Sequence, residues 1–211
     1  MPKDERPTLV LKVGGSLLDW PELPRRLESL LLEGRPALVA GGGAAADVIR
    51  SLDRVHGLGQ EQAHRLAIRA MDLTAALLAA LLPRSLVVSN PEELAATWRA
   101  SQVPILAPKP FLEASEAGRT DTLPASWDVT SDSIAARLAR HLRVDRLVLL
   151  KSVRAEGITT LEQAAVMGLV DPHFPTAAAG FARVEVVCLR DSPIIFRRLQ
   201  GAPASAARTD S

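Results

Sequence analysis

The first predicted strand and the residues after it, Thr8-Leu-Val-Leu-Lys-Val-Gly-Gly-Ser16, decide the fold of this chain. The apolar run at 8–11 has the length and composition of a buried strand. Gly14 and Gly15 lack a Cβ atom just past the strand, so a ligand can approach the backbone closely. Exposed amides beside the positive charge of Lys12 suit a polyanion such as a nucleoside triphosphate. A glycine turn next to a surface lysine is the alternative interpretation.

The composition of the chain favours an α/β domain with an aliphatic core. Hydrophobic residues make up 47% of the 211 residues, whereas aromatic residues make up 3% and tyrosine does not occur. Such a core suits helices packed on a sheet better than an aromatic-rich β-sandwich. We expect one domain over residues 1–201 and a disordered tail over residues 202–211.

Charge and cysteine content exclude several classes of partner and site. The net charge of +1, without a long basic run, does not favour nucleic acid or an anionic membrane surface as a partner. Cys188 is the only cysteine, so the chain has no internal disulfide and no cysteine-based zinc site. Because the N-terminus lacks an apolar signal segment and no apolar stretch reaches transmembrane length, we predict a soluble cytoplasmic protein.

Strands and helices alternate along the chain, which predicts a mostly parallel sheet covered by helices on both faces. The further predicted strands are 36–40, 85–88, 103–107, 146–151 and 184–188. The predicted helices are 19–34, 44–55, 60–82, 92–99, 130–142, 160–166 and 192–199. Residues 108–127 are predicted to be irregular, and Pro104 indicates an edge strand or the start of a strand. The helix at 60–82 is apolar on two sides, which predicts contact with the sheet on one side and a partner subunit on the other.

Three candidate groups fall at the carboxyl ends of predicted strands, where open parallel sheets bind ligands. They are Lys12 with its glycines, Gly41-Gly-Gly43 and Lys151. The second group opens a helix, whose amides and dipole favour an anion, although a flexible turn is the plain alternative. The chain contains no G-x-x-x-x-G-K-[ST] loop, and neither glycine group has the G-x-G-x-x-G spacing. Binding of a nicotinamide dinucleotide is therefore disfavoured.

The segment Asp128-Val-Thr-Ser-Asp-Ser133 opens the helix that follows the long irregular stretch. Thr130 or Ser131 can cap this helix, and Asp132 in its first turn complements the helix dipole without any further role. The density of carboxylates and hydroxyls exceeds what capping needs. Asp132 can hold Lys12 and Lys151 between their phosphate contacts, or order a magnesium ion through water.

With these segments in this order, the chain resembles the amino acid kinase superfamily across residues 8–190. The matching pieces are 12–16, 41–43, 130–136 and 147–153. The resemblance implies a three-layer αβα sandwich and transfer of the ATP γ-phosphoryl group to a carboxylate, carbamate or phosphate. It implies catalytic roles for Lys12, Asp132 and Lys151, with ATP and Mg²⁺ as cofactors and no metal ligand from the protein. The residues expected at the phosphates and the acceptor are Gly14, Gly15, Ser16, Gly41, Gly42, Gly43, Thr130 and Ser131.

Three further segments, 63–72, 127–133 and 168–175, resemble a short branch of this superfamily. That branch includes a kinase that phosphorylates aminomethylfuranmethyl phosphate in methanofuran biosynthesis. We therefore predict an ATP-dependent kinase for a phosphate acceptor of this kind, a small-molecule enzyme that forms homo-oligomers. A kinase for a carboxylate acceptor and a non-catalytic nucleotide- or phosphate-binding protein are the alternatives.

The chain departs from the larger members of the superfamily in the half that holds the nucleotide. Residues 174–180 contain no lysine where larger members carry a late catalytic one, and the element after the strand at 146–151 is altered to Arg154-Ala-Glu-Gly157. Lys151 or Arg154 can replace the missing charge; a degraded ATP site is the other interpretation.

Overall fold

The computed structural model describes residues 8–32, 34–144 and 146–201. Its strands are Thr8–Val13 (β1), Arg35–Ala40 (β2), Ser85–Val88 (β3), Val103–Leu106 (β4), Arg146–Lys151 (β5), Arg183–Cys188 (β6) and Arg197–Leu199 (β7). Its α-helices are Leu23–Leu31 (α1), Gly43–His56 (α2), Gln60–Leu81 (α3), Pro91–Arg99 (α4), Pro108–Glu116 (α5), Ser131–His141 (α6), Leu161–Val166 (α7) and Phe174–Ala177 (α8). The predicted tail at 202–211 lies outside the described residues.

The strands form a sheet in the order β3-β4-β2-β1-β5-β6-β7. The first six strands run parallel to one another, and β7 runs antiparallel to β6. Lys12 in the central strand β1 lies opposite Val39 of β2 and Leu149 of β5. The carboxyl ends of β1, β2, β5 and β6 therefore meet at one edge of the sheet, where a crossover topology leaves room for ligands.

Helices cover both faces of the sheet and bury two apolar clusters. One cluster packs alternate residues of the central strands, such as Val10 and Leu147, against α5, α6 and α8. The other packs the opposite faces of those strands, such as Leu11 and Val148, against α1 and the second half of α3. This alternation of residues between the two faces is the period-2 pattern of a buried strand, and it gives the predicted three layers.

Two predictions of local structure are wrong. Residues 108–116 form helix α5 rather than a loop, because prolines are tolerated in a first helical turn and Phe111, Leu112 and Ser115 place one face in the core. Residues 192–199 form no helix; the β-branched and aromatic residues at 194–196 favour extended chain, and β7 follows. Of the two alternatives predicted from Pro104, the start of a strand is confirmed, because Pro104 is the second residue of β4, and β3 rather than β4 lies at the edge.

Helices α2 and α3 pack against each other and each carries an exposed apolar row. In α3, Ala63, Met71 and Leu78 are buried, whereas Leu73, Leu77 and Leu81 are exposed. In α2, Val48, Leu52 and Val55 are also exposed. Across the described ranges, no helix combines the length and apolar character that crossing a membrane requires.

Candidate active site

Two lysines and one aspartate form a buried ion cluster at the carboxyl edge of the sheet. The Lys12 Nζ lies 2.8 Å from Asp132 Oδ1, and the Lys151 Nζ lies 2.9 and 2.8 Å from the two Asp132 oxygens. Lys12 and Lys151 extend from neighbouring parallel strands on the same face, and Asp132 enters from the first turn of α6. The exposed fraction is 4% for the side chain of Lys12, 12% for that of Lys151 and 6% for that of Asp132.

The cluster carries a net positive charge, because two ammonium groups share one carboxylate. Burial alone would raise the pKa of Asp132, but the two ammonium groups lower it to about 2. Burial, with the charge of Lys12, lowers the pKa of Lys151 to about 8 against the opposing pull of Asp132. A buried cationic pair of this kind attracts an anion that enters the edge of the sheet.

The carboxylate of Asp171 holds the first turn of α6. Its Oδ2 accepts hydrogen bonds from the Thr130 amide at 3.0 Å, the Thr130 hydroxyl at 2.9 Å and the Ser133 amide at 3.0 Å. Its Oδ1 accepts from the Ser133 hydroxyl. The expected side-chain cap from Thr130 or Ser131 is therefore wrong: Thr130 sits at the cap position, but its hydroxyl donates and the accepting group comes from elsewhere. Asp171 thereby fixes the turn from which Asp132 reaches the lysines.

The glycines after β1 and β2 pack against each other. A Cβ atom on Gly15 would lie 2.4 Å from the Gly43 amide nitrogen, and one on Gly43 would lie 2.8 Å from the Gly15 oxygen. Gly43 also has a φ of +50°, which L side chains rarely adopt. The prediction that these glycines leave room for a ligand is thus incomplete, because part of the space admits the neighbouring loop.

A pocket of about 200 Å³ lies beside the cluster, between α2, α3 and α6. It is lined by Gly42, Gly43, Ala46, Asp47, Arg50, His64, Ala67, Ile68, Met71, Trp127, Val129, Thr130, Ser131 and Ile134. The Trp127 indole donates to Asp53 at 3.1 Å, and the Arg50 guanidinium stacks 4.5 Å from its ring centroid. His64 is buried in the wall, and burial lowers its pKa. The pocket is therefore lined both by the indole ring of Trp127 and by polar groups of the first turn of α6.

The structure brings most of the predicted residues together. Lys12, Asp132 and Lys151 are in direct contact, and Gly42, Gly43, Thr130 and Ser131 line the pocket. Ser16 lies on the other side, with its hydroxyl 2.8 Å from that of Ser152. Gly14 donates its amide to Leu150 at 2.8 Å, and Gly41 is buried, with its carbonyl accepting from Thr74 at 2.9 Å. The predicted set thus splits into two sides around the ion cluster.

The residues at the cluster do not form a direct magnesium site. Both oxygens of Asp132 are bound by ammonium groups, which leaves the carboxylate poorly placed for a cation. Over the described ranges, no group of three or more His, Cys, Asp and Glu side chains is arranged to hold a metal ion.

The model of the amino acid kinase family matches residues 7–160 of the chain. The chain belongs to the amino acid kinase family. The predicted resemblance is thereby confirmed.

One curated relative is similar to about two thirds of the chain. The chain is 28% identical over 147 residues to [5-(aminomethyl)furan-3-yl]methyl phosphate kinase of Methanocaldococcus jannaschii. The match covers 68% of the chain and 65% of that relative, and so less than two thirds of the relative's length.

Solved structures of the family share the fold. Uridylate kinase of Archaeoglobus fulgidus matches with a TM-score of 0.58 and 18% identity, over 92% of this chain and 91% of that one. Aspartate kinase of Synechocystis matches with a TM-score of 0.59 and 17% identity, over 92% of this chain and 40% of that one. The predicted α/β sandwich with a mostly parallel sheet is confirmed.

Asp171 is the main site residue that sequence reasoning missed. It lies in the segment 168–175, whose sequence resembles one branch of the superfamily. Since it acts on a helix 38 residues earlier in the chain, no local capping pattern reveals it. The clue available was a lone carboxylate between a glycine and a proline, in a segment without helical or strand periodicity.

Proposed function

We propose that this protein is a kinase that transfers the γ-phosphoryl group of MgATP to the phosphate group of a small acceptor. The buried cluster of Lys12, Asp132 and Lys151 supports this proposal most strongly, because it places net positive charge at the edge where the strand ends and glycine loops meet. Membership of the amino acid kinase family and the printed name of the relative support the same reaction class.

Phosphoryl transfer depends on alignment of the reactants and on positive charge near the transferring group more than on covalent catalysis by the protein. An oxygen of the acceptor phosphate attacks the γ-phosphorus, the bond from that phosphorus to the β–γ bridging oxygen breaks, and ADP leaves. The acceptor phosphate is ionised near neutral pH, so no general base is required. Lys12 and Lys151 neutralise the charge on the transferring group, and Asp132 keeps both ammonium groups in place.

The pocket between α2, α3 and α6 is proposed to hold the acceptor. Its volume of about 200 Å³ suits a small ring rather than a nucleoside. Trp127 offers a flat face, and Gly43 opens α2, whose amino-terminal dipole favours an anion. An acceptor such as aminomethylfuranmethyl phosphate, named for the relative, combines a small ring with a phosphate.

The proposal is tested by ADP release in a coupled assay. Aminomethylfuranmethyl phosphate, UMP, aspartate and N-acetylglutamate are offered in turn with MgATP, and the product is identified by ³¹P NMR. We expect turnover with the first compound and formation of a diphosphate. Turnover only with a carboxylate acceptor would replace the proposed acceptor class, and ATP binding without ADP release would favour a non-catalytic binding protein.

We further propose that two copies of the chain associate through α3. Leu73, Leu77 and Leu81 recur at i, i+4 along one helical face and remain exposed, at 64%, 45% and 37%. A symmetric dimer places the same patch on both subunits, so a single apolar helix row can meet its own copy. A second copy accounts for this row, which the sheet does not cover.

Light scattering after gel filtration measures the mass of the particle. We expect a dimer for the natural chain and a monomer for Leu77→Glu. The control is Val166→Glu, which places the same charge on an exposed residue of α7. A monomeric natural chain would contradict the proposed association through α3.

A further inference from the structure

The loops after β1, β5 and β6 are fixed to one another beside the ion cluster. Gly14 donates its amide to the Leu150 carbonyl at 2.8 Å, and Leu189 donates its amide to the Lys151 carbonyl at 2.9 Å. The Arg26 guanidinium of α1 binds the carbonyls of Leu189 at 3.1 Å and of Asp191. The backbone on both sides of residue 190 is therefore held in place.

This arrangement brings a third basic side chain to the same edge of the sheet. Arg190 follows β6, and its Nη2 donates to the Ser16 carbonyl over a long 3.4 Å. Its guanidinium lies 5.6 Å from the centroid of the Trp20 ring. Within residues 8–32, 34–144 and 146–201, no carboxylate lies within ion-pair distance of Arg190, since the neighbouring Asp191 pairs with Arg154. Most of the hydrogen-bonding capacity of Arg190 is thus left for a ligand.

Two hydroxyl groups lie on residues that follow the cluster lysines in the chain, and one of these residues contacts Arg190. The Ser16 and Ser152 hydroxyls are 2.8 Å apart, although the residues are 136 positions apart in sequence. Ser152 follows Lys151 directly, and Ser16 ends the glycine stretch after Lys12. The hydroxyl pair and the Arg190 guanidinium therefore lie on loops that follow the strands of the two lysines and β6.

We propose that Arg190, with the hydroxyls of Ser16 and Ser152, binds the β- and α-phosphates of a nucleoside triphosphate. The inference rests on the proposed function, which puts the γ-phosphoryl group at Lys12 and Lys151. A triphosphate extends from that point over several ångströms, and the leaving ADP gains negative charge on its β-phosphate. A planar guanidinium with free donors suits two phosphate oxygens at once, and hydroxyls donate to the same group.

Arg154 is the other basic residue at this edge, and its contacts argue against the same role. Its Nε lies 2.9 and 3.1 Å from the two Asp191 oxygens, and its Nη1 lies 3.4 Å from Glu156. Two carboxylates therefore already neutralise its charge. Of the two replacements that the sequence left open for the missing lysine, Lys151 lies in the ion cluster and Arg154 forms part of a surface ion network.

The test compares Arg190→Gln with the natural enzyme. We expect the KM for ATP to rise by at least about tenfold, because charge-assisted hydrogen bonds to phosphate are lost, and the KM for the acceptor to stay unchanged. Arg190→Lys is expected to recover part of the loss, since it restores charge without the planar fork. Arg154→Gln and Arg25→Gln are matched controls, and both are expected to keep the natural KM for ATP. Circular dichroism checks that each variant is folded.

Direct binding separates this inference from the proposed function. Titration calorimetry measures the Kd of ADP and of adenosine for the natural chain and for Arg190→Gln. A loss confined to ADP supports the phosphate contact. Unchanged ADP affinity in Arg190→Gln, with turnover in the natural enzyme, would overturn the inference and leave the kinase proposal standing. A natural chain that neither binds ATP nor ADP nor turns over would overturn both.

Discussion

The proposed acceptor half of the site, the pocket between α2, α3 and α6, contrasts with the proposed donor half, which consists of Ser16, Ser152 and Arg190. The acceptor half is a pocket of about 200 Å³, and its glycine loop packs backbone to backbone on the loop after β1. The donor half is open, and its side chains rather than its backbone face outward. The ion cluster of Lys12, Asp132 and Lys151 lies between them.

The contrast shows two ways in which one sheet edge can select for anions. In the acceptor half, selectivity depends mainly on shape, because Gly15 and Gly43 lack side chains and allow the loops after β1 and β2 to approach each other. In the donor half, selectivity depends mainly on charge, because the backbone holds the guanidinium of Arg190 and the hydroxyls of Ser16 and Ser152 in place. We expect substitutions in the acceptor half to disturb stability and activity together, and substitutions in the donor half to disturb nucleotide affinity alone.

The largest effect is expected for Lys12→Ala, which removes a cation that serves both halves. Loss of one preorganised transition-state contact lowers kcat by about 10²–10³. Steady-state assays at saturating ATP and acceptor measure this change, and Lys109→Ala, a lysine paired with Glu113 on α5, is the control. Full turnover in a folded Lys12→Ala protein would show that the cluster is not the site of transfer.

Gly15→Ala is expected to cost about 1–3 kcal/mol of unfolding free energy, because overpacking forces the backbone to move. The added methyl group would lie 2.4 Å from the Gly43 amide nitrogen, so the loops after β1 and β2 must separate. Urea denaturation measures the change. Gly201→Ala is the control, since its nearest contact, a Leu161 methyl group, is 3.6 Å away. Equal stability of the two variants would contradict backbone packing as the reason for the glycine.

Asp171→Asn tests whether the acceptor half is held from outside α6. The amide cannot accept all four hydrogen bonds, which predicts a loss of about 1–3 kcal/mol in stability. It also predicts a lower kcat and a loss of activity that begins at a lower pH, because a displaced Asp132 and the lost charge of Asp171 both stop raising the pKa of Lys151. Asp121→Asn, at an exposed ion pair, is the control. An unshifted pH profile would limit Asp171 to a structural role.

A smaller effect is expected from pH. Since the pKa of Lys151 is about 8, kcat/KM is expected to fall by up to about tenfold per pH unit above that value as the cation is lost. In the unfolded chain the lysine keeps its ordinary value of 10.5, so between pH 8 and 10.5 the unfolded state binds more protons. The titration of this group therefore makes the fold more stable as pH rises, so it does not itself favour unfolding in this range.

Lys151→Arg provides the matching variant, because a guanidinium stays protonated over this range. Its activity is expected to be lower near neutral pH but flat from pH 7 to 9.5. Rate profiles of both proteins over this range decide the matter. A decline of the same shape in both would assign the titration to another group.

The sequence predicted the sheet and the ion cluster because both depend on local patterns. Apolar runs that end in Lys12 or Lys151 mark buried parallel strands, and parallel strands bring their carboxyl ends to one edge. The first turn of α6 was found from its density of hydroxyls and carboxylates. Each of these signals lies within a few residues of the group that it describes.

The parts that the sequence did not reveal depend on distant contacts. The cap from Asp171, the apposition of Gly15 with Gly43 and the approach of Arg190 to Ser16 each join residues that are well apart in the chain. Helix α5 was missed for a different reason: its two prolines indicate a loop unless their position in a first turn is recognised.

The cap on α6 has a consequence for the order in which the chain becomes functional. As the protein is synthesised from its N-terminus, Lys12, Asp132 and Lys151 all emerge before Asp171. Until residue 171 has folded back, the first turn of α6 lacks the acceptor for its amides, and the lysines lack a fixed counter-ion. Activity should therefore appear late in biosynthesis, and not before the segment after α7 closes over the helix.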